Sequence, residues 1–197
     1  METIATLEKA VVGADSGRRY TYDELLAEMP ESNLPCELWD GEVITSPTPS
    51  FHHQQLVARF SYRLYEWVSK QKLGKVVTGP IDMVLSAHRV MQPDVAFVAK
   101  DRLSIIGRSI NGPVDLAVEI ISLGGRDRDR LQKRDLYEQY GVQEFWLVDP
   151  EAQTVEVLCL EQGRYQLHAR FTLGQNATSR LLPGFEMPVT VLFQGEV

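Results

Sequence analysis

Apolar residues recur at helical spacing in the segment that follows Ser50. Between His52 and Lys72, large apolar side chains stand three or four residues apart, at Leu56, Phe60, Leu64 and Trp67. This period predicts one long amphipathic helix with an apolar face along its length. Ser50 is the expected N-cap, because its hydroxyl can accept a hydrogen bond from an amide of the first turn.

A second, shorter helix is predicted near the N-terminus. Thr21 and Glu24 have the spacing of a capping box, in which each side chain satisfies the backbone amide of the other residue. The helix then covers Tyr22–Met29 and ends before Pro30, which cannot continue it. Residues 1–18 carry weak patterning, so we expect a loose lead-in there.

Most of the remaining chain is predicted to form strands. Asp40-Gly41 stands between two short apolar runs and predicts a hairpin with strands at about 36–39 and 42–46. Further strands are predicted at 76–77, 81–85, 94–98, 115–122, 144–148, 154–160, 165–171 and 181–192. A helix from about 127 to 140, ended by Gly141, lies among them. The pattern predicts an α/β chain, and the lack of a repeat or linker favours one domain over residues 1–197.

Glu119 interrupts an otherwise apolar strand with the sequence DLAVEIIS. A strand covered on both faces should be apolar throughout. Burial of an unpaired carboxylate is costly, so a buried glutamate generally has a partner, a metal ion or a shifted pKa. The alternatives are an exposed strand end or a structural ion pair. Glu119 is therefore a candidate functional residue.

Asp94 stands at the start of another apolar strand, directly after Pro93. Carboxylates on neighbouring strands can share a hard cation such as Mg²⁺, which takes oxygen ligands and keeps several waters. The alternative is that Asp94 closes a turn before the strand. Together with Glu119, it points to a metal site more strongly than either residue does alone.

The helix predicted after Glu119 is rich in basic residues. They are Arg126, Arg128, Arg130, Lys133 and Arg134. Leu131, Tyr137 and Tyr140 have the spacing of a face that packs on a sheet, and Lys133 is expected to point partly inward. For most of the arginines a solvated face with Arg–Asp pairs is the simpler explanation. The same pattern also suits contacts with phosphate oxygens.

Composition narrows the class of protein. The 197 residues are 44% hydrophobic and 24% charged, which is ordinary for a globular domain. The formal net charge of −7 argues against nonspecific coating of nucleic acid, and its simplest explanation is solubility. Cys36 and Cys159 form no CxxC pair, and the N-terminus lacks an apolar signal region. We expect a cytoplasmic protein without disulfides, a zinc site or a membrane span.

The order and spacing of several motifs resemble a known family. The segments are ELWDGEVITSPTPSFHHQ, QPDVAFV, DLAVEIIS, QKRDLYEQYGVQEFWLVDP and LLPGF. They resemble the PD-(D/E)XK nuclease superfamily and, more closely, the Uma-two family of bacterial putative restriction endonucleases, over about residues 20 to 193. The resemblance implies a restriction-endonuclease-like α/β fold, with a central mixed sheet flanked by helices and an added C-terminal antiparallel β segment. It also implies a metal-dependent endonuclease that acts on nucleic acid, with DNA as the expected substrate.

The resemblance assigns roles residue by residue. It implies that Asp94, Glu119 and the backbone carbonyl of Ile120 hold Mg²⁺ or Mn²⁺. The superfamily lysine usually follows the glutamate by two positions, where this chain has Ile121, and Lys133 in the next helix matches it instead.

Other polar positions match the family less strongly. Glu37 and His53 are expected to approach the site as catalytic residues, although a surface glutamate and an exposed histidine are their simple alternatives. Arg126, Arg128 and Gln92 are candidate substrate contacts. Gln54 and Tyr140 are weaker candidates.

Two other classes of function remain open at this stage. One is a catalytically silent module of the same fold that binds nucleic acid or a protein. The other is a structural or regulatory protein that dimerises through its C-terminal strands. Retention of Asp94, Glu119 and Lys133 favours the enzyme, since a decayed site would be expected to lose one of them. A homodimer would suit the cutting of both strands of DNA.

Overall fold

The structure, a computed structural model, is built around a six-stranded mixed sheet. It describes residues 17–28, 35–122 and 128–195, and of residues 128–130 the backbone alone. The strands in chain order are β1 Cys36–Trp39, β2 Glu42–Thr45, β3 Gly74–Thr78, β4 Met83–Ser86, β5 Arg89–Met91, β6 Val95–Ala99, β7 Ile110–Asn111, β8 Leu116–Ile120, β9 Glu144–Asp149, β10 Thr154–Glu161, β11 Arg164–Phe171, β12 Asn176–Thr178 and β13 Glu186–Pro188. The order in the main sheet is β11-β10-β9-β8-β6-β3.

Four α-helices accompany these strands in the described residues. They are α1 Tyr22–Glu28, α2 Phe51–Gln71, α3 Arg134–Tyr140 and α4 Val189–Gln194. A 3-10 helix covers Lys100–Ile105, and a π-helical segment, Arg128–Lys133, leads directly into α3. The predicted α/β class, with a mixed sheet flanked by helices, is confirmed.

The main sheet is covered on both faces, which explains why β8 and β9 are buried along their whole length. On one face, Leu56 and Phe60 of α2 pack against Val118 and Trp146. On the other face, Tyr137 of α3 packs with Ala117 and with side chains of the smaller sheet. Strands β8 and β9 are parallel, whereas β6 and β8 are antiparallel.

A smaller five-stranded sheet has the order β2-β1-β5-β4-β7. The predicted hairpin β1–β2 is confirmed, and it turns at Asp40 and Gly41, with φ values of 49° and 85°. These positive values suit Gly41 and are tolerated by an aspartate in a tight turn. Gly41 also lies against the backbone of Tyr20, where a Cβ would come within 3.1 Å of its carbonyl oxygen.

The predicted helix ends follow from local chemistry. Ser50 accepts a hydrogen bond from the amide of His53 at 3.1 Å, as expected for the N-cap of α2. Thr21 and Glu24 form the predicted reciprocal capping box before α1. Gly141 ends α3 in the left-handed conformation, with φ of 84°. The predicted end of α1 at Met29 and the lead-in over residues 1–16 lie outside the described residues.

The structure corrects two predictions and adds three short strands that were not predicted. The expected strand 181–192 is instead the short strand β13 followed by α4, whose C-terminal carbonyls at Leu192 and Phe193 accept hydrogen bonds from Arg59. The strands β5, β7 and β12 were not predicted, because each has only two or three residues. Leu131 was expected to pack on the sheet but is 50% exposed.

No helix in the described part of the chain combines the length and the apolar character that crossing a membrane requires.

Candidate active site

Asp94 lies beside the end of β8, the strand that carries Glu119. Glu119 stands between Val118 and Ile120, which point to the α2 side, so its own side chain points to the α3 side. The antiparallel register of β6 and β8 ends with Val95 paired to Val118, and Asp94 directly precedes this pair. The amide of Ile120 donates to Asp94 Oδ2 at 2.7 Å, which fixes this carboxylate beside the strand.

Lys133 reaches the strand glutamate from the neighbouring helical segment. Its Nζ lies 2.9 Å from Glu119 Oε2 and 2.9 Å from Glu37 Oε1. The three residues are 6%, 3% and 8% exposed, in the order Lys133, Glu119, Glu37. The lysine that the sequence places on the helix rather than on the strand is therefore held between two buried carboxylates.

Tyr137 is the second side chain that contacts the Glu119 carboxylate. It follows Lys133 by four residues, and its hydroxyl donates to Glu119 Oε1 at 2.6 Å. Burial raises the pKa of the Tyr137 phenol well above its usual range, and the charges of Glu119, Glu37 and Asp94 raise it further. The direction of this shift is consistent with several negative charges near Glu119.

Glu37 is oriented by three donors. Its Oε1 accepts from the backbone amide of Gln92 at 3.0 Å as well as from Lys133, and its Oε2 accepts from Trp39 Nε1 at 3.1 Å. The surface alternative for Glu37 is therefore wrong for this structure. Glu37 is the second residue of strand β1 in the smaller sheet, and its side chain reaches Lys133, which also contacts Glu119.

His53 lies at the other carboxylate. Its Nε2 is 3.1 Å from Asp94 Oδ1, and the side chains are 12% and 22% exposed, respectively. Ser50 caps α2 through the amide of His53, and the His53 side chain is partly buried, whereas that of its neighbour His52 is exposed. Asp94 is more accessible than the deeply buried Glu119, so solvent reaches the site from the Asp94 side.

The remaining candidates divide into those that the structure places and those that it does not describe. Gln92 lies beside Glu37, but both polar atoms of its side chain contact protein groups, Cys36 N and Asp82 Oδ1. Gln54 is exposed on α2, and Tyr140 packs at the edge of the apolar cluster around Tyr137. Arg126 and the side chain of Arg128 lie outside the described residues.

A divalent cation fits the donor chemistry of this pocket. Asp94, Glu119 and a backbone carbonyl at Ile120 are hard oxygen donors of the kind that Mg²⁺ prefers, with waters in its other positions. The carboxylates of Glu37, Asp94 and Glu119 outnumber the single ammonium of Lys133. Within the described ranges, no three His, Cys, Asp or Glu side chains are grouped closely enough to hold a metal ion by themselves. Backbone and water oxygens would therefore have to supply part of the coordination.

Sequence reasoning did not identify Tyr137 as part of the site. It was expected only to pack on the sheet, although its spacing of four residues from Lys133 places both on one helical face. That spacing was the available signal. Asp115 and Glu144, two other buried carboxylates, were also not singled out, and the structure gives both of them structural partners.

Comparison with known proteins bears on the family and the fold of the chain. The family model described as Uma2, putative restriction endonuclease, matches residues 22–190. Among solved structures, the chain is similar to a putative nuclease belonging to DUF820 from Anabaena variabilis ATCC 29413, with a TM-score of 0.71 and 19% identity. The match covers 88% of this chain and 97% of that chain, and at this identity it demonstrates a shared fold. No curated protein matches the chain.

Proposed function

This chain belongs to the Uma2 family of putative restriction endonucleases, and we propose that it is a metal-dependent endonuclease that hydrolyses phosphodiester bonds of DNA. The observation that carries the proposal is the position of Lys133 Nζ, 2.9 Å from both Glu119 and Glu37, with Asp94 held by the amide of Ile120, the residue after Glu119. Carboxylates that can hold a divalent cation, with a lysine beside them, are groups that can support phosphodiester hydrolysis.

In this proposal Asp94, Glu119 and the carbonyl of Ile120 hold Mg²⁺ or Mn²⁺. Such an ion would polarise a phosphoryl oxygen and make a bound water more acidic. The charge balance supports its binding, because the buried Lys133 is shared by two buried carboxylates, Glu37 and Glu119, and the partly exposed Asp94 adds a third negative charge nearby. Buried like charges repel one another unless a cation compensates them.

The residues of the chain then have distinct roles. Lys133 presents a positive charge beside the carboxylates, where it offsets the charge that develops on the phosphate during attack by water. Water adds to phosphorus and releases a proton to solvent, the bond to the leaving sugar oxygen breaks, and that oxygen takes up a proton from solvent. Glu37 and Tyr137 orient Lys133 and Glu119, and His53 orients Asp94, through the contacts described above.

The substrate is held mainly through its phosphates. Arg126 and Arg128 follow the acidic strand closely in sequence and are proposed to contact phosphate oxygens near the site. A local basic segment is needed because the net charge of the chain is −7. Neutralising either arginine should weaken DNA binding and reduce its dependence on salt.

The test is cleavage of closed circular plasmid and of linear DNA with Mg²⁺ or Mn²⁺. The parent should nick or linearise the plasmid, a chelator should stop the reaction, and Glu119→Ala should be inactive. Glu66→Ala is the matched control, since Glu66 lies on α2 with an exposed side chain paired to Arg63. DNA binding without cleavage by the folded parent would instead support the silent binding module. Cleavage by Glu119→Ala at the rate of the parent would contradict the proposed site.

A further inference from the structure

The contact between Glu37 and Lys133 depends on how β1 is held against the chain that enters β6. In the described residues, β1 and β5 pair through Leu38 and Val90. Continued by two residues, this antiparallel register brings Cys36 opposite Gln92. Beyond Gln92 the ladder cannot go on in the ordinary way, because Pro93 has no backbone N–H to donate.

At this position the side chain of Gln92 takes over from the backbone ladder. Its Oε1 accepts from the amide of Cys36 at 3.0 Å, and its own backbone amide donates to Glu37 Oε1 at 3.0 Å. One residue therefore holds both the backbone of β1 and the carboxylate that contacts Lys133. Glu37 Oε1 is contacted by both the backbone amide of Gln92 and the ammonium of Lys133. A shift of Gln92 would therefore move the oxygen that the lysine contacts.

The other end of the Gln92 amide is anchored away from the site. Its Nε2 donates to Asp82 Oδ1 at 2.7 Å, and the hydroxyl of Tyr22, on α1, donates to Asp82 Oδ2 at 2.8 Å. Burial and the neighbouring Asp82 raise the pKa of Tyr22 to about 12, so the phenol keeps the proton that it donates. A continuous chain of hydrogen bonds thus connects α1 to the lysine.

Resting on the proposed function, we infer that Gln92 is a positioning residue that holds Glu37 against Lys133, with its amide fixed by Asp82 and Tyr22. This differs from the role of substrate contact that the sequence suggested for Gln92. Both polar atoms of its side chain are directed at protein groups rather than at the open side of the site near Asp94. A lysine on a flexible four-carbon stem needs such fixed acceptors to keep one geometry.

The two roles predict different kinetics. Loss of a positioning residue lowers the rate of the chemical step and leaves DNA affinity unchanged, whereas loss of a substrate contact that is equally strong in ground and transition states raises the half-saturating DNA concentration. Gln92→Met keeps the length of the side chain without its amide. We expect its single-turnover rate at saturating DNA and Mn²⁺ to fall by about tenfold, as small displacements at catalytic groups do.

Tyr22→Phe offers a gentler change at the far end of the chain, since it removes one oxygen atom. Its rate should fall by about two- to fourfold, a fraction of the effect of misplacing the catalytic group directly. The matched control is Tyr62→Phe, because Tyr62 lies on α2 and is 65% exposed. Its rate should equal that of the parent. For all three variants, half-saturating DNA should stay within about twofold of the parent value.

A second measurement does not depend on cleavage. Lys133 is 6% exposed, so acetylation of the folded protein, followed residue by residue by mass spectrometry, should label it slowly. The exposed Lys70 serves as an internal reference. Relative to Lys70, labelling of Lys133 should rise by at least about threefold in Gln92→Met, less in Tyr22→Phe and not in Tyr62→Phe, because loosened acceptors let the stem move.

The outcomes separate this inference from the proposed function. If the parent does not cleave DNA, the proposed function fails, and the labelling of Lys133 still decides whether Gln92 positions it. An unchanged rate constant with raised half-saturation would make Gln92 a substrate contact and overturn the inference. So would unchanged labelling of Lys133 in Gln92→Met. If Gln92→Met does not fold, Tyr22→Phe decides by the same two readouts.

Discussion

Two glutamates are buried in the neighbouring parallel strands β8 and β9, and their surroundings differ in kind. Glu144 accepts hydrogen bonds at Oε1 from Trp146 Nε1 at 2.7 Å and Ser179 Oγ at 2.6 Å. Its Oε2 accepts from the backbone amides of Arg180 and Leu181 at 2.8 and 2.9 Å. This carboxylate fastens the 179–181 segment to the sheet through neutral donors.

Glu119 is instead contacted by an ammonium and a phenol, and two further carboxylates lie close by. Neutral donors satisfy the hydrogen-bonding capacity of the Glu144 carboxylate without a second charged group, which suits a structural role. A cluster of like charges around one lysine is costly to bury, and it is maintained where a ligand or a reaction uses it. The comparison therefore separates a structural carboxylate from a candidate catalytic one.

The largest expected effect is on cleavage. Glu119→Gln should lower the single-turnover rate at least about a thousandfold, on the order of 4 kcal/mol in the activation barrier, because it removes a proposed metal ligand. Glu144→Gln should keep the rate per folded molecule and lower the free energy of unfolding by about 1–3 kcal/mol, since its amide would face donors. Rates and urea unfolding measure both. If Glu144→Gln were well folded but inactive, the distinction between a structural Glu144 and a catalytic Glu119 would be wrong.

Removal of the lysine should strongly affect stability. Lys133→Met leaves Glu37 and Glu119 buried without their shared ammonium, and the free energy of unfolding should fall by about 3–5 kcal/mol. Arg134→Met is the adjacent control, because Arg134 pairs with Asp135 at the surface and should contribute at most about 1 kcal/mol. Urea unfolding without divalent ions gives both values. Equal effects of the two substitutions would mean that the buried cluster is not electrostatically strained.

A divalent cation should stabilise the folded protein by mass action. At a Mn²⁺ concentration one hundred times the Kd, the free energy of unfolding should rise by about 2.7 kcal/mol. Asp94→Asn and Glu119→Gln should lose this response, while Glu144→Gln should keep it. Thermal unfolding with and without Mn²⁺ is the measurement. If Asp94→Asn and Glu119→Gln respond as the parent does, the ion binds elsewhere.

The smallest expected effect is on the stability of the fold at alkaline pH, where each of the two glutamates raises the pKa of a neighbouring thiol or phenol. Burial and the neighbouring Glu144 raise the pKa of the Cys159 thiol to about 12. Burial and the neighbouring Glu119 raise the pKa of the Tyr137 phenol well above its usual range. The folded state thus keeps protons that the unfolded chain releases near pH 9 for the thiol and near pH 10 for the phenol. The stabilisation is present below those values and is lost as pH rises, by about 1.4 kcal/mol per unit for each group.

Substitutions should divide this alkaline loss between the two regions. Cys159→Ala should remove the part that begins near pH 9, and Tyr137→Phe the part that begins near pH 10. The urea midpoint from pH 8 to 11 measures the slope. Identical slopes in the parent and both variants would show that neither acid is perturbed in the fold.

The sequence predicted what local chemistry determines. The hairpin at Asp40-Gly41 and the caps at Ser50 and Gly141 depend on a few neighbouring residues, and each was found. The segment 181–192 was mispredicted because tertiary contacts, such as that of Arg59 with the end of α4, select a helix there. Leu131 was misplaced because a π turn holds more residues than an α turn, so α-helical spacing does not carry across it.

The site was predictable in part for the same reason. Glu119 and Asp94 stand out as carboxylates in apolar strands, but Glu144 begins such a strand too, and the sequence alone does not separate the two roles. The partners that do so come from distant segments, such as Ser179 for Glu144 and Lys133 for Glu119. The part played by Gln92 depends on the register between β1 and β5, which no local pattern encodes.

The position of Lys133 is the central claim, and single-turnover cleavage of plasmid DNA by Lys133→Met and Arg134→Met tests it most directly. Saturating DNA and Mn²⁺ remove differences in binding, and the fraction of folded protein is measured in the same samples. The account predicts that Lys133→Met loses cleavage while Arg134→Met keeps the rate of the parent. Undiminished cleavage by folded Lys133→Met would contradict it and leave the chemistry to Asp94 and Glu119 alone.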